Sequence, residues 1–130
     1  MRSFPLWHRD NRIFREQHKG IFMIDCQFIC GVYDGLAHPD SLKLFGHHPS
    51  FSLEPFYEKL AAALAQSGMY AEQSSGIARR SGARLGMEPA LLQAMLRRGV
   101  RVQTASDAHR PEDVGLQISK LEQITRCYMA

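Results

Sequence analysis

The fold of this chain is decided by one stretch of sequence, Val100-Arg101-Val102-Gln103-Thr104-Ala105-Ser106-Asp107-Ala108-His109. Apolar and polar residues alternate at its start, which predicts a β-strand. It ends in a carboxylate and an imidazole, and a helix can begin at the following Arg110-Pro111. Because residues i and i+2 of an extended chain point to the same side, Asp107 and His109 are expected to project together. Such a pair suits a divalent ion such as Zn²⁺ or Mn²⁺.

Length and composition indicate a single domain over residues 1–130. Of the 130 residues, 45% are hydrophobic and 22% are charged, which is ordinary for a globular protein. The net charge of +3 is too small for the dense basic face that nucleic-acid binding requires, so no nucleic-acid partner is expected. Three cysteines (Cys26, Cys30 and Cys127) form no paired framework and favour reduced thiols. The sequence contains neither a membrane span nor a signal peptide, so a cytoplasmic location and no membrane partner are expected.

Helices and strands alternate along the chain. Residues 1–30 are expected to form an N-terminal helical segment, and residues 31–130 to form β/α units. In the second part we expect strands at 32–38, at 69–73 and from 100, and helices at 53–67, 87–98 and 111–127. Residues 41–50 and 74–86 are expected to be loops, and the last helix is expected to bury Val114, Ile118, Leu121 and Ile124. This order predicts an α/β fold with parallel strands, whose ligands gather at the carboxyl ends of the strands.

Three strand ends carry groups that bind metals or phosphate. They are His38 after the first strand, Glu72 with the arginine-bearing loop after the second, and Asp107 with His109 after the third. One edge of the sheet therefore collects two histidines, carboxylates and arginines, and arginine holds phosphate through bidentate hydrogen bonds.

The same strand ends resemble motifs of a known superfamily. Their sequences are Gly35-Leu36-Ala37-His38-Pro39-Asp40, Tyr70-Ala71-Glu72-Gln73-Ser74-Ser75-Gly76 and Ala105-Ser106-Asp107-Ala108-His109-Arg110-Pro111-Glu112-Asp113-Val114-Gly115. They resemble three successive motifs of the polymerase and histidinol phosphatase (PHP) superfamily, with the best match to its histidinol-phosphatase-type members. The resemblance implies a distorted, seven-stranded TIM-like β/α barrel. It also implies a cluster of divalent Zn, Mn or Fe ions that hydrolyses a small phosphorylated substrate with a metal-activated water.

The resemblance also assigns roles to individual residues. His38, Asp107 and His109 would be metal ligands, and Arg79 and Arg80 would contact the substrate phosphate. Glu72 and Ser74 would lie behind the ligands and orient them.

The chain departs from the superfamily pattern before residue 31. The superfamily opens with a His-x-His pair, whereas His8 and His18 are ten residues apart and match none of its motifs. The sequence therefore corresponds to the C-terminal half of the barrel and is expected to be weakly active or inactive alone. Open strand edges favour a homo-oligomer or a complementing N-terminal half. The alternative is a non-catalytic PHP remnant that acts as a binding or oligomerisation module.

Several residues also have an ordinary structural interpretation. Asp107 can cap a helix beginning near Pro111, and His38 can be a half-buried residue at a strand end. Glu72 can neutralise Arg79 or Arg80 instead of serving the site. The loop histidines His47 and His48 are expected to be solvated, and Arg97 and Arg98 to complement a helix dipole.

Overall fold

The protein contains a small parallel sheet. The structure, a computed structural model, describes residues 33–46 and 50–130. Its strands are β1 (Gly35–Leu36), β2 (Tyr70–Ser74) and β3 (Val102–Ala105), with β2 in the centre. Gly35 lies opposite Tyr70, and Ala71 lies opposite Val102. This confirms the α/β class with parallel strands. The predictions for residues 1–30 and for His47 and His48 lie outside the described residues.

In the described part of the chain, four α-helices and two 3₁₀ turns connect and cover these strands. The helices are α1 (Glu54–Ser67), α2 (Gly76–Ser81), α3 (Pro89–Arg97) and α4 (Ile118–Met129), and the turns are Ser41–Phe45 and Pro111–Asp113. The α1 helix ends at Gly68 because this residue takes a left-handed conformation and its N–H bonds to the last carbonyls of the helix. The first residue of α3 is a proline, which needs no N–H partner at that position.

The hydrophobic core lies between the sheet and helices α1 and α3. Its fully buried members are Ala61, Leu64, Ala71, Leu91, Leu92 and Met95. From α4, Leu121 is also buried, while Ile124 and Tyr128 pack against the core. The residues that follow Ala71 in β2 and Val102 in β3 point to the opposite face of the sheet. Of these, Glu72 is half-buried and Gln103 is exposed. Within residues 33–46 and 50–130, the apolar core therefore supports the strands from the face that carries Ala71.

Two predictions about these elements were wrong. The loop predicted for residues 74–86 contains helix α2, which the Ser, Gly and Arg content obscured. The helix predicted for residues 111–127 begins only at Ile118, because the backbone is left-handed at Gly115 and Gln117. Val114 is consequently 72% exposed and does not enter the core.

Arg97 and Arg98 lie at the end of α3, as the dipole explanation requires, and they also have a second role. Both guanidinium groups form ion pairs with Glu58 of α1, in addition to lying at the end of α3.

None of the helices in the described ranges has the length and apolar character that a membrane crossing requires.

Candidate metal centre

The predicted metal ligands lie at one edge of the sheet. His38 and Asp107 each follow the last residue of a strand by two positions, and parallel strands end at the same edge. The backbone φ angle is +27° at His38 and +46° at Asp107. Positive φ is uncommon for residues other than glycine and often occurs at functional sites. Both residues therefore leave their strands through sharp turns.

Asp107 and His109 are close together, but not for the reason that the sequence suggested. The positive φ at Asp107 shows that the chain is not extended there, so the two-residue periodicity of a strand does not apply. The turn nevertheless brings Nε2 of His109 to 3.6 Å from Oδ1 of Asp107. The capping role for Asp107 was wrong, because the turn at Pro111–Asp113 has Arg110 at its N-cap and no side-chain cap.

Arg80 is the strongest partner of this pair. Its Nη2 donates a hydrogen bond to Oδ2 of Asp107 at 2.8 Å. Its Nη1 lies 3.4 Å from Nε2 of His109. Since a guanidinium can only donate, the imidazole nitrogen is the acceptor in this contact. One arginine thus contacts both of the candidate ligands.

The charges around Asp107 favour its ionised form. Partial burial alone would raise the pKa of Asp107, but the hydrogen bond and the positive charge of Arg80, with smaller contributions from the two imidazoles when they are protonated, hold that pKa below its usual range. Asp107 is therefore a carboxylate at neutral pH, as a metal ligand must be.

Small and buried groups keep Asp107 in its position. A Cβ atom at Gly76 would lie 2.5 Å from Oδ2 of Asp107, so only glycine leaves room there. Arg79 donates to the carbonyl oxygens of Ser106 at 3.0 Å and Asp107 at 2.9 Å. Its Nε also pairs with the buried carboxylate of Asp113 at 3.4 Å. The turn after β3 is thus held by helix α2.

The two arginines predicted to bind phosphate have different environments. The side chain of Arg79 is 19% exposed, and all three of its nitrogens have protein partners. The side chain of Arg80 is 32% exposed and holds only the candidate ligands. Phosphate contact stays a prediction for both residues, but Arg80 is the one with a side chain available to a ligand.

Glu72 and Ser74 both belong to the central strand β2. Within the described ranges, Arg79 and Arg80 form their ion pairs with Asp113 and Asp107, so Glu72 does not neutralise them. The hydroxyl of Ser74 accepts a hydrogen bond from the N–H of Gly76 at 3.1 Å and so supports the start of α2. That either residue orients a metal ligand stays a prediction.

Sequence reasoning missed three residues of this region. Gly76 and Asp113 have the roles given above, and the hydroxyl of Ser75 donates to the carbonyl of Leu116 at 2.9 Å. The one available signal was the Ser75-Gly76 pair, whose small side chains directly follow a strand and permit close approach. Nothing local marks Asp113, because its burial depends on Arg79, which is distant in sequence.

The donor types fit a divalent cation, but their number is small. An ionised carboxylate and imidazole nitrogens are ordinary ligands of Zn²⁺ and Mn²⁺. Across residues 33–46 and 50–130, however, no group of three or more His, Cys, Asp or Glu side chains is arranged to hold a metal. That these residues bind a metal stays a prediction.

Comparisons with models of known protein families and with curated proteins found no match for this chain.

Proposed function

We propose that this chain forms part of the metal centre of a metal-dependent phosphoesterase of the PHP, histidinol-phosphatase type, acting on a small phosphate monoester. One observation carries the proposal. The ionised Asp107 lies 3.6 Å from His109 and 2.8 Å from Arg80 at the carboxyl edge of a parallel sheet, and His38 follows β1 at the same edge. Ligands of parallel α/β proteins bind at this edge. The motif resemblance and the parallel β/α units support the assignment.

In this proposal each side chain has a distinct task. Asp107, His109 and His38 hold the cation, which when bound activates water and neutralises phosphate charge. Arg80 binds the phosphate oxygens through its planar fork of N–H donors. Arg79 and Gly76 position Asp107. Further ligands come from an N-terminal PHP half, which completes the TIM-like barrel, so the chain alone has little or no activity.

The first test measures metal binding by thermal unfolding. Mn²⁺ or Zn²⁺ is expected to raise the melting temperature of the 130-residue chain, since a ligand at about 100 times its Kd stabilises the folded state by about 2.7 kcal/mol. Asp107→Ala should remove this effect. Glu122→Ala is the matched control, because Glu122 is an exposed carboxylate on α4 that pairs with Arg126. It should respond to metal like the unchanged chain.

The second test measures hydrolysis of p-nitrophenyl phosphate at micromolar protein with excess metal. Turnover is expected to rise when the N-terminal half of a PHP phosphatase is added. If the chain shows neither metal-dependent stabilisation nor turnover with that half present, the proposal is wrong.

The lack of a three-donor cluster in the described ranges favours a second candidate, a non-catalytic binding or oligomerisation module. This candidate predicts a folded chain whose melting temperature does not change with metal and which sediments as a defined oligomer.

A further inference from the structure

We infer that Arg80 acts as an internal cation that occupies the Asp107–His109 pair when no metal is bound, and that a phosphate group increases metal affinity by drawing Arg80 away. This inference rests on the proposed function, because it concerns access to the same site. It adds a coupling between metal binding and phosphate binding at that site.

Arg80 contacts both candidate metal ligands through the tip of its side chain. Its two terminal nitrogens lie 2.8 Å from Oδ2 of Asp107 and 3.4 Å from Nε2 of His109. The oxygen and the imidazole lone pair that accept these contacts are the atoms that a divalent ion would use. The guanidinium and the metal ion therefore compete for the same oxygen and nitrogen atoms of Asp107 and His109. Two cations cannot share this small space without strong repulsion.

Arg80 is the residue of α2 whose side chain can move away from Asp107 and His109. Arg79 is anchored through three contacts to Ser106, Asp107 and Asp113, so the helix itself stays attached to the turn after β3. Arg80 lies one residue further on, its side chain is a third exposed, and it reaches the pair by its tip. Its displacement thus requires a side-chain movement and no change in the fold.

A phosphate dianion is the ligand best suited to take Arg80. Guanidinium groups bind phosphate bidentately and with charge assistance, which makes phosphate a stronger partner than a single carboxylate oxygen. Once Arg80 faces the phosphate, Asp107 and His109 are free for the metal. Because coupling between two ligands is reciprocal, bound metal must raise the affinity for phosphate by the same factor.

The experiment uses the full 130-residue chain, Mn²⁺, and methylphosphonate as a phosphate probe that cannot be hydrolysed. Electron paramagnetic resonance of free Mn²⁺ gives the Kd with and without the probe. We compare the unchanged chain, Arg80→Gln, and the control Arg101→Gln, which removes the same charge from an exposed residue at the amino end of β3. Circular dichroism verifies that each variant is folded.

Without the probe, Arg80→Gln is expected to bind Mn²⁺ about five- to tenfold more tightly than the unchanged chain, a typical range for coupled sites. Methylphosphonate should then tighten Mn²⁺ binding more in the unchanged chain than in Arg80→Gln, in which only direct contact between metal and probe remains. Arg101→Gln should match the unchanged chain in both measurements.

Three outcomes would overturn the inference. Equal or weaker Mn²⁺ binding by Arg80→Gln would show that Arg80 does not block the pair. An equal effect of methylphosphonate on both proteins would show that Arg80 does not couple phosphate binding to metal binding. If neither protein binds Mn²⁺ at all, the proposed function fails together with this inference, and that result is distinguishable from the first two.

Discussion

At the scale of single residues, the turn after β3 determines what this chain can bind. Asp107 adopts a left-handed conformation that an aspartate tolerates better than most residues do. Two of its neighbours make this stable, since Arg79 bonds to its carbonyl and Gly76 leaves space for its carboxylate. The position of a single carboxylate thus depends on a helix that lies some thirty residues earlier in the sequence.

Gly76→Ala tests this dependence. The added Cβ would lie 2.5 Å from Oδ2 and 2.7 Å from Cβ of Asp107, while Arg79 prevents the turn from moving away. We expect a loss of about 1–3 kcal/mol in the free energy of unfolding, measured with urea. NMR titration of the carboxyl carbon should also show a higher pKa for Asp107, because its contact with Arg80 is disturbed.

Gly82→Ala is the control for this substitution. It lies at the end of the same helix with φ +70°, and no atom would be within 4 Å of its Cβ. It should reduce stability through backbone strain alone and leave the pKa of Asp107 unchanged. A normal pKa of Asp107 in Gly76→Ala would contradict the close contact.

At the scale of secondary-structure elements, a buried polar cluster joins the first 3₁₀ turn to α1 and α3. Asp40 accepts a hydrogen bond from the N–H of Glu88 at 2.9 Å and pairs with Lys43 at 2.9 Å. Lys43 also donates to the carbonyl oxygen of Gly86. Burial, followed by the charges of Asp40 and Glu88, raises the pKa of Tyr57 to about 12. The ends of three elements therefore meet around two carboxylates.

Tyr57→Phe gives a prediction about stability at high pH. The pKa of Tyr57 is raised on folding from about 10, so its neutral form stabilises the fold below pH 10 and this contribution is lost as the pH rises towards 12. In urea unfolding between pH 8 and 12, the unchanged chain should lose stability relative to Tyr57→Phe above pH 10. Parallel curves for the two proteins would show that Tyr57 ionises normally.

At the scale of the whole molecule, the core of the described residues lies between the sheet and helices α1 and α3. Leu91 is completely buried, whereas Val114, which the sequence assigned to the core, is 72% exposed. Leu91→Ala should therefore cost about 2–5 kcal/mol of unfolding free energy. That loss is a large part of the roughly 5–15 kcal/mol typical of a domain.

Val114→Ala is the control for Leu91→Ala in the same unfolding measurement. An exposed substitution of this kind should change the free energy of unfolding by less than about 0.5 kcal/mol. A large loss in Val114→Ala, or a small one in Leu91→Ala, would contradict the placement of the core.

The sequence predicted the α/β class and most of the periodic elements. Helices α1 and α3 follow from apolar residues at helical spacing, and Gly68 marks the end of α1. Strand β3 follows from alternation of apolar and polar residues. The sequence did not predict α2, because a helix of six residues has too few turns to show a periodic pattern.

The sequence by itself determined that His38, Asp107 and His109 follow strands of a parallel α/β protein, because periodicity and chain order are local properties. Only the tertiary structure decided that Arg80 contacts Asp107 and His109, that Arg79 holds the turn beneath them, and that Gly76 makes room. These contacts join residues about thirty positions apart. They depend on packing of α2 against the end of β3, which no short stretch of sequence encodes.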